Sequence, residues 1–600
     1  MASYFSRRTI DFLLYEVFDA TALTRYPHFE AHDRETFAMS LDSVTHIADT
    51  LMYPYYREVD RHAPELRQGR VSVHPKVRDM LRALGEAGLI GANFSFEHGG
   101  QQLPELVNAC LGYILTAANN SMLYTGLTSG AANLINAFGT PDLQSTYVAK
   151  LLAGQWQGTM ALTEPQAGSS LSDITSTAEP QPDGTYRIMG QKVFISAGDH
   201  DAVDNVVHLL LARIAGAPKG TRGISLFVVP KYRLEPSGEL TDNDVTSTGI
   251  YHKLGQRGTP AMHLVLGERG DCHGWLVGEP HRGLSYMFQM MNEARIAVGI
   301  TGAGIASAAY YASLAYAKER PQSRRLNEKN QLDAPQTPII NHPDVRRMLL
   351  FQKAVVEGSL SLLLESARLA DLAHVAEGEA KENYRLLLEL LTPVAKTFPT
   401  EQGVRSVSEG LQVLGGYGYT EDFPLEQMYR DIRITPIYEG TTGIQAQDLL
   451  GRKVPMGGGK ALQLLLAEMT QTAQQARTHE ALVPYADKLE AEIERLRTVT
   501  GALLPYAQRG DTERFLMDAT LYMELFGLVV VAWQWLKQGE VAQQVLSTRP
   551  PEGDELAFYE SKVHTMKYFF HYEVPKTLAL ATRLTDPEVL TIASEKQVLM

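Results

Sequence analysis

Short stretches of this chain carry residue types that could do chemistry. Thr163 to Ser170, reading TEPQAGSS, follows an apolar run and offers a tight turn, small residues and the hydroxyls of Ser169 and Ser170. Such a turn lets backbone N–H groups approach a flat or anionic ligand closely. A plain surface turn has the same composition. Leu414 to Thr420, LGGYGYT, is a second glycine cluster, but no Gly-Lys-Ser/Thr follows it and it is not GxGxxG. GGGK at 457–460 lacks both the preceding strand and the following hydroxyl, so neither cluster is a nucleotide motif in isolation. Ile437 to Gln445, IYEGTTGIQ, sets the carboxylate of Glu439 in a turn of small and apolar residues ahead of a helical pattern. By itself Glu439 reads as a solvated helix-start acid, favoured there by the helix dipole.

The elements that must position these residues follow from the hydrophobic period. Six hundred residues exceed what one core supports and predict several domains. With 44% hydrophobic and 21% charged residues the chain should pack throughout. From about Asp33 to Leu152 the apolar spacing is helical, as in VRDMLRALGEAGLIG. From about Gln155 to Gly278 it shortens to period two or brief apolar runs (WQGTMALT, TYRIMGQKVFIS, NVVHLLLARI, GISLFVVP, MHLVLG) separated by turn clusters, which predicts six or more strands. Helical spacing returns from about Gly283 to Leu450 and again after PMGGGK. The predicted fold class is α+β: an extension at 1–34, a helical domain at 35–154, a β domain at 155–280, a helical domain at 281–452, a linker at 453–460 and a helical extension at 461–600.

Composition also excludes function classes. A net charge of -14 opposes sequence-independent binding to nucleic acid or to an anionic membrane surface. Two cysteines, Cys110 and Cys272, cannot build a disulfide framework, and neither has a Cys or His at metal-ligand spacing, so no metal is expected. A reducing, cytoplasmic location is expected. The N-terminal IDFLLYEVFDATAL is broken by Asp11, Glu16 and Asp19, unlike a signal peptide. No segment is read as reaching the roughly 18 apolar residues of a membrane span, and LYMELFGLVVVAWQWL is read as a buried helix.

The order of the motifs adds what none carries alone. TEPQAGSS, MGQKVFIS, HKLGQRGTP, MNEARIAVG and QVLGGYGYTEDFPLEQMYRDIRITPIYEGTTGIQ follow one another on an α, β, α background, with LIGANFSFEHGG at 89–100 ahead of them. Over roughly residues 35–452 this resembles the acyl-CoA dehydrogenase superfamily. The flanking extensions are similar to its long branch, which includes long-chain acyl-CoA and methylmercaptopropionyl-CoA dehydrogenases.

The resemblance implies FAD, held between the β domain and the second helical domain, and oxidation of an acyl-CoA to the trans-2-enoyl-CoA in fatty acid β-oxidation, with a medium to long chain expected. It makes Glu439 the base that takes the α-proton, strengthened by burial under flavin and substrate, and Gly440 the point of close approach to the thioester. It places Met160, Leu162 and Thr163 at the flavin pyrimidine side. Phe194, Ile195 and Ser196 match the triplet that packs on the flavin, and Ser169 falls at the pyrophosphate or the CoA chain. Arg320, Gln322 and Ser323, with Gln412, Gly415 and Gly416, would meet a neighbouring subunit's FAD, and Thr441 the FAD of its own site. Asn292 and Arg295 would hold CoA; a surface ion pair of Arg295 with Glu293 or Glu319 is the alternative.

The chain departs from the family pattern at Gln166, often Gly, at Ser170, often Asp, and at Gly443, often Gln. Where the family usually has Arg-x-Gln-Phe-Gly, this chain has Arg320-Pro321-Gln322-Ser323-Arg324. Electron transfer flavoprotein is the expected electron acceptor, with oxygen, as in the superfamily's oxidases, the alternative. The tail is expected to fold back on its own subunit and leave a homodimer. A DNA-associated alkylation-response member is a rival reading, but residues 455–600 hold 14 Lys+Arg against 19 Asp+Glu, the wrong sign for phosphate binding.

Overall fold

Segments with period-two spacing become strands of a single sheet. The computed structural model describes residues 4–122, 124–331 and 333–592. The chain divides into two compact units, one of Pro27–Ala297 with Gln427–Ile434, the other of Met1–Tyr26, Val298–Glu426 and Thr435–Met600.

In the first unit, helix Arg34–Ile47 starts at a capping box in which Asp33 and Thr36 each bond the other's backbone N–H. It buries Phe37, Leu41, Val44 and Ile47, one face at helical spacing. Helices Lys76–Glu86, Glu105–Asn119, Thr125–Phe138 and Pro141–Leu152 complete the helical part. The sheet has eight strands in the order Val245–Ile250, Ala261–Leu266, Tyr186–Ser196, His273–Leu276, Ile224–Pro230, Asn205–Ile214 and Trp156–Ala161, with Thr177–Pro180 pairing both Tyr186–Ser196 and Asn205–Ile214. That last pairing closes part of the sheet on itself around Ile188, Leu210, Phe227, Val229 and Met262. Strand Trp156–Ala161 runs parallel to Asn205–Ile214. It lies against helix Thr125–Phe138 at Gly158, where a Cβ would come within 2.5 Å of the Ala131 methyl.

Long helices build the second unit: Pro343–Val375, Gly378–Leu414, Lys460–Ala476, Val483–Gln508, Ala519–Thr548, Gly553–Tyr568 and Lys576–Leu584. Helix Gly378–Leu414 continues through Pro393 and Pro399. A π-helical turn, Leu449–Lys453, is followed by a 3-10 turn, Met456–Gly459, in which Gly457 and Gly458 have φ of 62° and 69°, leading into helix Lys460–Ala476. The tail docks on helix Pro343–Val375: the Trp535 indole N–H donates to the Ala354 carbonyl at 3.0 Å, and the Lys562 ammonium lies 2.9 Å from the Glu357 carboxylate, both buried. The N-terminal residues join the same assembly. Arg8 pairs with Glu16 at 2.7 Å and Glu555 at 2.9 Å and sits 4.2 Å over the Phe558 ring.

The sequence reading of membrane spans needs a correction. Gly283–Glu319 and Thr512–Thr548 are long and apolar enough to cross a bilayer by length and composition, but their most apolar stretches are 72% and 67% buried within the protein. The sequence hides this because an apolar core helix and a span obey the same composition.

Candidate active site

The Thr163–Ser170 turn is held by a buried carboxylate. Glu164 accepts from the Thr175 N–H at 2.6 Å, the Ser176 N–H at 3.1 Å, the Gln166 amide at 2.9 Å and the Lys192 ammonium at 2.8 Å. Burial pushes the Glu164 carboxyl up, but Lys192 and the donors around it outweigh that and hold it at about 2. Glu164 and Ala167 exchange backbone hydrogen bonds of 3.0 Å. With its base fixed, the turn presents Gly168, Ser169 and Ser170 to solvent. Thr163 is half-buried, and its carbonyl accepts from the Val193 N–H at 2.9 Å. The Leu162 carbonyl accepts from Lys192 at 3.1 Å. Met160, on the strand at the end of the sheet, is 8% exposed.

Across the Phe194 region the strand breaks its alternation. Phe194 has φ of 59° and Ala197 φ of 51°, and the register with strand Ala261–Leu266 shifts between Met262 and Leu264. A β-bulge re-aims side chains in this way. The Phe194 ring is turned outward, 62% exposed, and stacks on Tyr251 at 4.3 Å. Of the triplet, Ile195 turns into the core and Ser196 stays half-buried, so the outward surface is Phe194 and Ser196 with the backbone between them. Tyr251 also lines a recess of about 310 Å³ with Lys253, Arg257 and Thr259. Burial lowers the Lys253 ammonium to about 8 against the pull of Asp431 and Asp60.

Arg295 is 5% exposed, and its guanidinium donates to the Asn292 side chain at 3.2 Å. That burial does not fit the surface pairing that the sequence left open. Two residues before it, Glu293 accepts from the Asn133 amide at 2.9 Å.

In the other unit, Glu439 occupies the left-handed region with φ of 54°, followed by Gly440 at 92°. A non-glycine residue there costs about 1–3 kcal/mol and persists only when its surroundings impose it. Thr441 caps the next helix, Thr442–Asp448, by accepting from the Ile444 N–H at 3.3 Å. The Thr442 N–H bonds the Pro436 carbonyl at 3.1 Å, and its hydroxyl donates to Glu401 at 2.5 Å. The buried Gln445 amide donates to the Glu439 carbonyl at 3.2 Å. Glu439 itself is half-buried.

Two segments about ninety residues apart in sequence meet in this unit. Arg320, Gln322 and Ser323 are exposed on a loop bonded to 337–339 through Gln322 N–H to Thr337 O, Thr337 N–H to Ser323 O and Ile339 N–H to Arg320 O. The Arg320 guanidinium carbon stands 6.0 Å over the ring of Tyr417, in the turn that follows Gln412. Gln412, Gly415 and Gly416 are exposed, and no atom lies within 4 Å of a Cβ built on either glycine.

The surface of the first unit fits a flavin dinucleotide. Phe194 and Tyr251 offer a flat aromatic face, Thr163 and Ser196 offer hydroxyls, and Gly168–Ser170 leave backbone open to a diphosphate. In the other unit, taken by itself, Gly415 and Gly416 likewise leave open backbone. Among the described residues no group of three His, Cys, Asp or Glu could hold a metal ion. Sequence reasoning missed Tyr251, Lys253, Glu401 and Gln445; each acts by a contact distant in space or by a turn conformation that residue type does not announce.

Known proteins match this architecture over most of its length. Residues 35–155, 159–268 and 281–453 match the acyl-CoA dehydrogenase N-terminal, middle and C-terminal domains, and 465–593 match the acetyl-CoA dehydrogenase C-terminal-like domain. The chain is 37% identical over 570 residues to the 3-methylmercaptopropionyl-CoA dehydrogenase of Ruegeria pomeroyi, covering 94% of each. It is 32% identical over 572 residues to the broad-specificity linear acyl-CoA dehydrogenase FadE5 of Mycobacterium tuberculosis, covering 93% of each. An acyl-CoA dehydrogenase of Bacillus anthracis, solved with FAD, superposes with a TM-score of 0.74 at 22% identity, covering 96% of this chain and 91% of that one, a likeness of fold. The chain belongs to the acyl-CoA dehydrogenase family of FAD-dependent oxidoreductases.

Proposed function

We propose that the protein dehydrogenates a fatty acyl-CoA of medium or long chain to the trans-2-enoyl-CoA, as a step of β-oxidation. The observation that carries this reading is the Glu439 turn, where a carboxylate is held in a costly backbone conformation by side chains around it. FAD, when bound, supplies the hydride acceptor for the β-carbon. The Glu439 carboxylate oxygen takes the α-proton, and its backbone N–H polarises the thioester carbonyl. Gly440 leaves room for the thioester. Thr163, Ser196 and the backbone of Leu162 and Ile195 would hold the isoalloxazine, with Phe194 and Met160 against it; Ser169 would meet the pyrophosphate or the CoA chain, and Thr441 the FAD of its own site. Asn292 and the buried Arg295 orient the CoA chain.

Arg320, Gln322, Ser323, Gln412, Gly415 and Gly416 reach the FAD of a second copy, which makes the homodimer the working unit. Their exposure and their meeting at Tyr417 support this assignment. Electron transfer flavoprotein takes the electrons, and the reducing cytoplasm suits a chain whose Cys110 and Cys272 are both buried free thiols.

A second substrate is favoured by one observation. The relative at 37% identity is named for 3-methylmercaptopropionyl-CoA, a thioether of short chain. Acyl-CoAs from C4 to C18 and 3-methylmercaptopropionyl-CoA, assayed side by side with a dye acceptor, decide between them. A highest kcat/KM at C8 or longer supports the first reading, a maximum at the thioether supports the second, and turnover of none overturns both.

A further inference from the structure

We propose that Gln445 is a positioning residue for the base: its side-chain amide locks the Glu439–Gly440 peptide and so sets the direction in which Glu439 presents its carboxylate. The inference rests on the reading of Glu439 as the base.

Gln445 lies within helix Thr442–Asp448 and is fully buried, and its own N–H bonds the Thr441 carbonyl at 2.9 Å. The side chain turns back along the helix, so that Nε2 donates to the Glu439 carbonyl at 3.2 Å. The orientation of the amide is forced. Flipped, it would set Oε1 against the Glu439 oxygen, acceptor against acceptor. In the bonded orientation Oε1 is buried and finds no hydrogen-bond partner among the described residues. A half-satisfied buried amide is costly, and an apolar side chain of the same length would fill the space without that cost. What the amide provides is therefore the bond to Glu439.

Gly440 shows the same fit from the other side. A Cβ there would come within 2.4 Å of Gln445 Nε2, so glycine at 440 is what admits the amide. The peptide between 439 and 440 is planar, and fixing its oxygen also fixes the opposed N–H of Gly440 and the ψ of Glu439. With φ of Glu439 already at 54°, the direction of its Cα–Cβ bond, from which the carboxylate is presented, is set. Thr442, bonded to Pro436 and Glu401, closes the turn but leaves the 439 carbonyl to the amide.

The test uses the FAD-loaded full chain and octanoyl-CoA, or whichever acyl-CoA of the panel turns over fastest. Gln445→Met should keep FAD and leave KM within about twofold. It should lower kcat by about 10- to 100-fold, the scale of an ångström-sized misplacement. The deciding comparison is made in the Glu439→Gln background, by following the residual slow bleaching of the flavin. A residue that acts through Glu439 has little left to lose there, so adding Gln445→Met should cost less than twofold. An equal loss in both backgrounds would mean a structural role, and an unchanged kcat in the single variant would also overturn the proposal. If Gln445→Met does not fold, Gln445→Asn, whose amide is one methylene too short to reach the Glu439 carbonyl, enters the same comparison with the same two outcomes. A crystal structure of the variant gives a readout apart from turnover: φ of Glu439 should leave the left-handed region. Should Glu439→Gln alone keep more than a tenth of the rate, it is the assignment of the base that fails, and not the positioning.

Discussion

Arg320 stands over the ring of Tyr417 at 6.0 Å, which joins the loop after helix Gly283–Glu319 to the glycine turn at the end of helix Gly378–Leu414. The face of a Tyr ring attracts a guanidinium and keeps it from folding back onto its own helix. The cation is thus presented beside the open backbone of Gly415 and Gly416.

Arg320→Ala should weaken FAD retention at least tenfold while leaving the fold intact, because a diphosphate loses a charge-assisted partner. Flavin release on dilution, followed by fluorescence, measures it. Unchanged retention would remove Arg320 from the FAD site.

The protein should be yellow, with about one non-covalent FAD per chain, and should run as two chains in light scattering, since the Arg320 and Gly416 surfaces are assigned to a second copy. A stable monomer that holds FAD and turns over would refute the shared site. A mass of four chains would show that the tail does not prevent pairing of dimers.

Glu439→Gln should leave FAD bound and KM little changed while kcat falls by about 10²-fold or more, as expected when a general base is removed. Steady-state assays with a dye acceptor read the split. Retention of more than a tenth of the rate would assign the proton transfer elsewhere.

Lys192→Met should destabilise the β-containing unit by about 3–5 kcal/mol, because it strands the buried Glu164 carboxylate. Pairing it with Glu164→Gln should restore part of that loss. The pair also predicts a pH dependence. The unfolded chain protonates Glu164 near 4.5, whereas the folded chain resists to about 2, so its contribution is whole above about 4.5 and is lost as pH falls through about 2. Urea titrations at pH 7 and pH 3 should show a smaller acid loss in the double variant than in the wild type.

Trp535→Ala should cost about 3–5 kcal/mol, the range for removing a large buried aromatic. The residue is fully buried and bonded to the Ala354 carbonyl. Calorimetry should show the helical unit melting earlier, whereas an unchanged melting temperature would mean that the tail adds nothing to it.

Much of this was legible in the residues. NVVHLLLARI coincides with strand Asn205–Ile214, and the helical spacing that begins at Asp33 starts at its cap. Strands Thr177–Pro180 and Val245–Ile250 escaped notice because the first is short and mostly exposed and the second, VTSTGI, has too few apolar residues to register as alternation. The YEGT segment pointed to Glu439, but φ of a single residue is not written in its type, and a Gln six positions on reads as an ordinary helical polar residue. Phe194 was named without its bulge for the same reason. The N-terminal segment gave no sign of its partner, since Arg8 and Glu555 are 547 positions apart and only packing brings them together.

That long-range tie bears on how the chain is made. Pro27–Ala297 is almost a continuous stretch and can condense as it leaves the ribosome, awaiting only Gln427–Ile434. The other unit contains Met1–Tyr26, yet beside Glu16 the partners of Arg8 and Thr9 include Glu555 and Lys562, made more than five hundred residues later. The Arg8–Phe12 segment therefore waits more than five hundred codons for these distant partners, and a nascent chain stalled before Glu555 leaves the Phe12 ring without Phe558, an apolar surface that chaperones recognise.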